Sequence, residues 1–266
     1  MKQAVAFPNQ SEFNKMRVRL DELKLPYEMI NSEPGYRLVG SPALAMSHEV
    51  RAAIFEREFE NCLCSGWVDY RPSSINVPLE DPPRFADDIF GVASIMLIAP
   101  CIADMTKIRL IAHISGDMTE AFPYLNTELP GVCFNSNGPL VTFMDQYRMI
   151  TLYPRKIAIA KADEIVDGWR TLERIRFIVN DIFSRRSKIQ PCYEARQKPP
   201  ALEIFKRLPR ISCGKCGQKT CMAFALTLWS GNTTPSMCKP IFEGEFSHLK
   251  DAFIEICNGL GVTNID

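Results

Sequence analysis

Four of the ten cysteines lie close together late in the sequence, with the spacing C-x2-C-x4-C-x16-C. A C-x2-C step brings two thiolates to one metal centre because the chain turns back on itself within two residues. Gly214 and Gly217 permit the backbone geometry that such a turn needs. The stretch therefore predicts a thiolate metal centre whose candidate ligands are Cys213, Cys216, Cys221 and Cys238.

The spacing also distinguishes between the two usual kinds of thiolate site. A tetrahedral zinc site commonly combines two short ligand steps, such as C-x2-C with another C-x2-C or with H-x3-H. Here three cysteines share one tight stretch, and Cys238 completes the set from beyond a long spacer. Three ligands from one loop and one from afar are typical of ferredoxin-like [4Fe-4S] binding, in which each iron takes one thiolate. The spacing favours an iron–sulfur cluster, with zinc as the alternative.

Short elements must position these ligands. Residues 221–230 have the pattern of a helix, and Gly231 stands where a C-terminal cap is expected. The loop at 214–220 has no large apolar side chain, so we expect it to be exposed and reachable by a partner. The helix should keep water from the opposite side of the site with Phe224, Ala225 and Leu228.

The sequence around the cysteines resembles a known domain family. Residues 202–209, 213–217 and 220–225 are similar to the four-cysteine iron–sulfur domain at the start of the large subunit of the corrinoid iron–sulfur protein. They are also similar to the cluster-bearing segment of the B subunit of the membrane-bound ferredoxin–NAD oxidoreductase. In those families the cysteines hold a low-potential [4Fe-4S] cluster, so the resemblance implies the same role for Cys213, Cys216, Cys221 and Cys238.

The resemblance covers residues 200–241 only, and it does not extend to a corrinoid site. No cobalamin-binding Asp-x-His-x-x-Gly motif occurs in the sequence. What the related proteins do with their corrinoid is therefore not implied for this chain. The cluster and an association with anaerobic redox metabolism are the parts of the resemblance that carry over.

Composition limits the remaining functions. Lys and Arg together number 31, as do Asp and Glu, so the chain lacks the basic field of an unselective nucleic-acid binder. The longest apolar run, at 92–103, contains Pro100 and falls short of the roughly 20 residues that cross a bilayer. The first residues do not resemble a secretory signal, so we expect a cytoplasmic protein without a membrane span. In a reducing compartment the cysteines are expected to be thiols or ligands, not disulfides.

The predicted fold class is α+β, in three parts. Residues 1–65 are expected to form a small α/β domain, and residues 66–195 a mostly antiparallel sheet with helices on one side. Residues 196–266 should form a small helical cluster domain with a C-terminal helix. The polar segment at 184–198, which ends before Pro199, is typical of a domain linker.

Hydrophobic periodicity predicts the individual elements. In the first part we expect a strand at 3–7, a helix capped by Asn9 with Glu12 completing a capping box, and a second helix from Ser47 to residue 59. In the second part we expect strands at 92–99, 107–115, 131–134, 140–144, 149–152 and 156–160. A helix at 163–184 carries the apolar stripe Ile165, Trp169, Leu172, Ile175, Val179 and Ile182.

Three other residues have types that could do chemistry. Cys62 and Cys64 form a C-x-C pair that could bind a metal or exchange disulfides, although free thiols are the favoured interpretation. His113, in a predicted strand, is interpreted as an ordinary strand residue. No nucleophile triad or paired-carboxylate site is visible.

These features favour a one-electron carrier over a stand-alone enzyme. A [4Fe-4S] centre in a chain without visible catalytic residues is expected to exchange electrons with a redox partner protein, either an enzyme or a ferredoxin-like donor. The first alternative is a reductive activator or accessory subunit of an oxidoreductase, corrinoid-dependent or not, at the periphery of a complex. The second is a structural metal-binding interaction protein. Lys215 and Lys219 either attract an acidic partner or are simply solvated.

Overall fold

The structure is a computed structural model that describes residues 2–55, 62–197 and 199–259. It contains an N-terminal four-stranded sheet, a six-stranded sheet with helices, and a C-terminal helical region, so the predicted α+β class is confirmed. The chain divides into two compact units: Met1–Glu120 with Leu152–Arg185, and Ala121–Thr151 with Arg186–Asp266. The boundaries expected near residues 65 and 195 stay a prediction.

The N-terminal sheet has the strand order β2-β3-β1-β4, with antiparallel pairing throughout. One helix follows its first strand and another follows its third, and buried side chains such as Leu20 and Leu44 fill its core. The predicted extension of the second helix to residue 59 lies outside the described residues. The elements are β1 (Lys2–Ala6), α1 (Gln10–Glu22), β2 (Glu28–Ile30), β3 (Ala43–Ser47), α2 (His48–Phe55) and β4 (Val68–Asp69).

Helix α1 begins as predicted but without the full capping box. The Asn9 side chain accepts a hydrogen bond from the Glu12 backbone N–H at 3.0 Å, which satisfies one of the free donors of the first turn. The Glu12 carboxylate does not complete a capping box, because it accepts from the Leu63 backbone N–H at 2.8 Å and pairs with Lys15. A tertiary contact has therefore replaced the expected local one.

The second sheet has the strand order β5-β6-β10-β9-β8-β7, and the predicted strands at 92–99 and 107–115 are confirmed as an antiparallel pair. Within it the strands expose one side chain and bury the next, as in β6. Its elements are β5 (Ala93–Pro100), β6 (Ile108–Ile114), α3 (Phe122–Glu128), β7 (Cys133–Asn135), β8 (Leu140–Asp145), β9 (Arg148–Tyr153) and β10 (Lys156–Ala162).

The long helix α4 (Ile165–Ser184) buries the stripe that its periodicity predicts. Trp169 and Leu172 are fully buried, and Gly168 approaches the sheet so closely that an added Cβ would lie 2.5 Å from Leu110. The Glu164 carboxylate caps the helix by accepting from the backbone N–H groups of Val166 and Asp167 at 2.6 and 2.8 Å.

The segment predicted as a linker is held by hydrogen bonds. The Asn126 side-chain amide donates to the carbonyls of Cys192 and Glu194 at 2.9 and 3.0 Å. Arg196 forms an antiparallel bridge with Phe134 in β7. The described part of this segment is therefore attached to α3 and β7 and does not run as a free connection.

Four short helices follow: α5 (Ala201–Lys206), α6 (Cys221–Trp229), α7 (Lys239–Phe242) and α8 (Lys250–Gly259). They share one core, to which α6 contributes Phe224 and Leu228 and α8 contributes Phe253. The Trp229 indole N–H donates to the Pro199 carbonyl at 2.9 Å, which fixes the end of α6 beside the start of α5. None of the helices in the described ranges is long and apolar enough to cross a membrane.

Candidate metal centre

The loop before α6 carries the first two candidate ligands, and its backbone has an unusual conformation. Arg210, Ser212, Gly214 and Gly217 have φ angles of 60°, 48°, 72° and 78°. The Gly217 N–H donates to the Gly214 carbonyl at 2.9 Å and closes a tight turn around residues 215 and 216. A Cβ on either glycine would meet nothing within 4 Å, so the conformation and not the space requires glycine there. The predicted turn is confirmed.

The third candidate ligand lies at the first residue of α6. The Thr220 hydroxyl accepts a hydrogen bond from the Ala223 backbone N–H at 3.0 Å, and the helix begins at Cys221. The helix ends at Trp229, and Gly231 follows with a φ of 72°, which is the expected left-handed C-terminal geometry. The cap therefore fixes the position of Cys221 relative to the preceding loop.

The fourth candidate ligand lies at the start of α7. A 3-10 turn at Pro235–Met237 leads into Cys238, whose backbone N–H donates to the Pro235 carbonyl at 3.0 Å. The Cys238 carbonyl then accepts from the Ile241 N–H at 2.9 Å. Two consecutive turns therefore position Cys238, the candidate ligand that is most distant in sequence, at the site.

All four cysteines line a single pocket, together with Pro209, Ile211, Phe224 and Pro240. The empty space within the pocket, part of it open to solvent, is about 320 Å³. Cys221 and Cys238 are 9% and 6% exposed, whereas Cys213 is exposed and Cys216 is half-buried. The predicted asymmetry of the site is confirmed, since the loop is largely exposed while Phe224, Ala225 and Leu228 are buried.

The buried side of the pocket disfavours a free thiolate. Burial raises the pKa of the Cys238 thiol to about 11, against a hydrogen bond from the Ile241 amide that lowers it. The nearby Cys216, Cys221 and Cys213 raise it further, because negative charges on neighbouring sulfurs repel one another. Binding of a metal centre deprotonates such thiols outright and offsets this repulsion.

The chemistry of this lining is that of a thiolate metal centre. The described residues that line the pocket include four cysteine thiols and no His, Asp or Glu side chain, and soft thiolate donors suit iron–sulfur clusters and zinc. Over the described ranges, no group of three or more His, Cys, Asp or Glu side chains could hold a metal ion as it stands. The fit of the site therefore rests on its four thiols, which would hold the cluster from one pocket.

The sequence did not identify every residue of this site. Pro209 and Ile211 line the pocket, and Thr220 caps the helix that carries a candidate ligand. A hydroxyl residue directly before an apolar helix is a recognised N-cap signal, so Thr220 was within reach of sequence analysis. The contributions of Pro209 and Ile211 depend on how the loop folds back, which no local pattern shows.

The other candidate cysteines lie outside this pocket. The Cys62 thiol donates to the Glu12 carbonyl at 3.3 Å, and burial, with the Glu12 carboxylate nearby, raises its pKa to about 12. Burial also raises the pKa of Cys64. Both are free thiols that stay protonated near neutral pH, as the favoured interpretation expects. His113 is exposed on β6, opposite Ser94 and Lys156.

Comparison with known proteins identifies the same stretch. Residues 208–240 match a family described as "Putative Fe-S cluster". The corrinoid/iron-sulfur protein large subunit of Moorella thermoacetica is 51% identical over 37 residues, 14% of this chain and 8% of that subunit. The acetyl-CoA decarbonylase/synthase complex subunit gamma 2 of Methanosarcina mazei is 54% identical over 44 residues, covering 16% of this chain and 9% of the subunit. The acetyl-CoA decarbonylase/synthase complex subunit gamma of Archaeoglobus fulgidus is 48% identical over 40 residues, which cover 15% of this chain and 8% of that subunit.

The chain therefore carries an Fe–S cluster domain at residues 208–240, which it shares with the corrinoid/iron-sulfur protein large subunit and with gamma subunits of acetyl-CoA decarbonylase/synthase complexes. The predicted resemblance to the large subunit is confirmed over this segment. This chain spans only 8 or 9% of the length of these three curated relatives. No solved structure matches the chain.

Proposed function

We propose that Cys213, Cys216, Cys221 and Cys238 hold one low-potential [4Fe-4S] cluster and that the chain passes single electrons to or from a partner redox protein. The observation that carries the proposal is that four cysteines with this spacing line one pocket, with Cys213 exposed and Cys221 and Cys238 buried. A cluster bound there would supply reversible one-electron storage.

The residues around the thiols have separate roles in this proposal. Phe224 and Leu228 shield the buried side and lower the local polarity, which is one of the factors that sets a cluster potential. The loop at 211–215 keeps the other side near the surface, where an electron enters or leaves. Gly214 and Gly217 let the backbone turn tightly around Cys216, so that the loop thiols face the pocket.

A second candidate is an accessory subunit or reductive activator of an oxidoreductase. The similarity to subunits of larger assemblies favours it, because those relatives are the large subunit of a corrinoid/iron-sulfur protein and a subunit of an acetyl-CoA decarbonylase/synthase complex. The sequence lacks the cobalamin-binding motif named above, and the proposal assigns no corrinoid to this chain. The electron-transfer chemistry of this chain is the same for both candidates. They differ in whether the chain binds its redox partner transiently, as a carrier, or stays bound to it, as a subunit.

Analysis of anaerobically purified protein tests the proposal. We expect four irons and four acid-labile sulfides per chain, in line with a cubane. A broad visible absorption should bleach on reduction, and a one-electron paramagnetic signal should appear. One zinc per chain without sulfide would contradict the proposal and favour a structural metal site. An oxidoreductase that co-purifies in constant ratio would favour the accessory subunit over the free carrier.

A further inference from the structure

Charge is distributed unevenly along the chain, although the total is balanced. No Asp or Glu occurs in residues 204–242, whereas six Lys or Arg residues do. The remainder of the chain therefore has 25 cations against 31 anions. A local excess of one sign creates a surface potential that steers charged partners, even on a neutral protein. The cluster segment is thus the basic part of a chain with no net charge.

Half of these cations are paired with carboxylates at the ends of the segment. Lys206 and Arg207 contact Glu203 at 2.6 and 3.1 Å, and Lys239 contacts Glu243 at 2.6 Å. No described acidic side chain forms an ion pair with the other three, Arg210, Lys215 and Lys219, and all three are exposed. We call these three residues the basic collar.

Each residue of the basic collar is next in sequence to a residue that lines the cysteine pocket, and Lys219 directly precedes the pocket residue Thr220. Arg210 precedes the pocket residue Ile211, and Lys215 lies between Cys213 and Cys216. Two apolar side chains are also exposed beside candidate ligands: Ile211 is 47% exposed, and Met237, next to Cys238, is 41% exposed. Exposed apolar side chains together with exposed charges have the composition of a docking surface, in which charge orients the partner and apolar contact excludes water.

We propose that the basic collar, with Ile211 and Met237, docks a small acidic one-electron carrier protein. This inference rests on the proposed function, because it names the partner of the same cluster. In the transfer, the reduced carrier loses one electron and the cluster gains it, so neither a bond nor a proton needs to change. Carboxylates on the carrier would meet the three cations and bring its redox group near Cys213.

A single-stranded nucleic acid is the less favoured partner for this surface. Such ligands need a longer basic groove together with aromatic side chains on which bases stack. Residues 209–220 contain no aromatic side chain. Three exposed cations that adjoin the residues of a thiol-lined pocket in sequence correspond better to a compact protein contact.

The test compares Lys215→Glu/Lys219→Glu with the matched reversal Arg17→Glu/Lys24→Glu, which makes the same charge change at exposed positions in and just after α1. The probe is an acidic flavodoxin. Its reduced form is the electron donor when the rate of cluster reduction is measured by stopped flow. Its oxidised form is the ligand when the affinity is measured by titration. At low ionic strength we expect the collar variant to lose about tenfold or more in second-order rate and in affinity, with the difference shrinking as salt is added. The matched variant should change each by less than about twofold.

A second donor and a second ligand make the outcome decisive. Reduced methyl viologen is a small cation, so the collar variant should accept its electron at an equal or higher rate. Unchanged flavodoxin rates and affinities, with a cluster that methyl viologen still reduces, would overturn the docking proposal alone. Tighter binding of single-stranded DNA than of flavodoxin would overturn it as well. Absence of iron and sulfide from the purified wild-type protein would instead remove the proposed function.

Discussion

The N-terminal sheet fills its core with apolar side chains, whereas the core of the C-terminal helices includes two candidate cluster ligands. Val5, Phe13, Leu20 and Leu44 are among the buried residues of the first core. The second contains Cys221 and Cys238 beside Phe224 and Leu228. The first core is complete in the polypeptide, while part of the second is expected to come from a bound metal centre.

The lengths of the helices point to the same difference. The long helices α1 and α4 have 13 and 20 residues and lie outside the C-terminal region, and α2 has 8, whereas α5, α6, α7 and α8 have 6, 9, 4 and 10. Isolated helices shorter than roughly 12 residues are marginal in water and depend on tertiary packing. The loop before α6 also holds Arg210 and Ser212 at positive φ, which is costly for residues other than glycine. We therefore expect the C-terminal region to depend on its metal and the N-terminal region not to.

Removing one candidate ligand should cause the largest loss of the cluster. Serine at position 213, 216, 221 or 238 replaces a thiolate with a poor ligand for iron, so we expect Cys213→Ser, Cys216→Ser, Cys221→Ser and Cys238→Ser each to lose most of the cluster. Iron and sulfide analysis with visible absorption measures the loss.

Two cysteines outside the pocket are the matched controls for that series. Cys133→Ser and Cys257→Ser should retain full iron content. Cys257 is buried in the same core as two candidate ligands, so serine there costs some stability by burying a hydroxyl. Loss of the cluster in Cys257→Ser, with the fold intact, would mean that the ligand set is wrong.

Removal of iron from the wild-type protein is the next largest perturbation. An anaerobic chelator should release the cluster and abolish amide exchange protection in α6 and α7, because ligation contributes to the folding free energy of such sites. Protection of β1, β3 and α4 should remain. Hydrogen exchange with mass spectrometry resolves the two regions. Equal loss of protection in both would show that the N-terminal core also needs the metal.

Truncation of one buried leucine in each core sharpens the contrast. Leu44→Ala and Leu228→Ala each remove a fully buried side chain and should cost about 2–5 kcal/mol of local stability. We expect Leu44→Ala to leave the iron content unchanged and Leu228→Ala to speed cluster loss to a chelator. Denaturant unfolding and the rate of iron release are the two measurements. Comparable iron release from both variants would contradict the separation of the two cores.

Periodicity predicted the longest elements best. The stripe of α4 and the alternation in β6 each bury a whole face, so their sequences record the packing directly. The glycines of the cysteine loop were equally informative, because Gly214 and Gly217 occupy the positive φ that few other residues adopt. The four cysteines indicated one pocket by their spacing alone.

Contacts between distant residues could not be predicted in this way. The carboxylate of Glu12 meets the amide of Leu63, and the Asn126 side chain holds the carbonyl of Cys192, but neither contact has a local signal. Short α5 was missed as a helix because its six residues are too few for a periodic pattern. The two discontinuous compact units likewise depend on long-range packing that the order of segments does not record.

The smallest expected effect comes from removing one helix cap in each region. Asn9 caps α1 and Thr220 caps α6, each by accepting a backbone N–H at 3.0 Å. Replacement by alanine removes that acceptor, so Asn9→Ala and Thr220→Ala should each cost about 0.5–2 kcal/mol. Thr220 directly precedes Cys221, so loosening its cap also frees a candidate ligand, and we expect Thr220→Ala to speed iron release severalfold. Asn9→Ala should lower the denaturation midpoint without changing that rate, and Thr220→Ser, which keeps the hydroxyl, should restore the wild-type rate. If Thr220→Ala and Thr220→Ser release iron equally fast, the cap does not position the ligand, and the methyl group of Thr220 matters more than its hydroxyl.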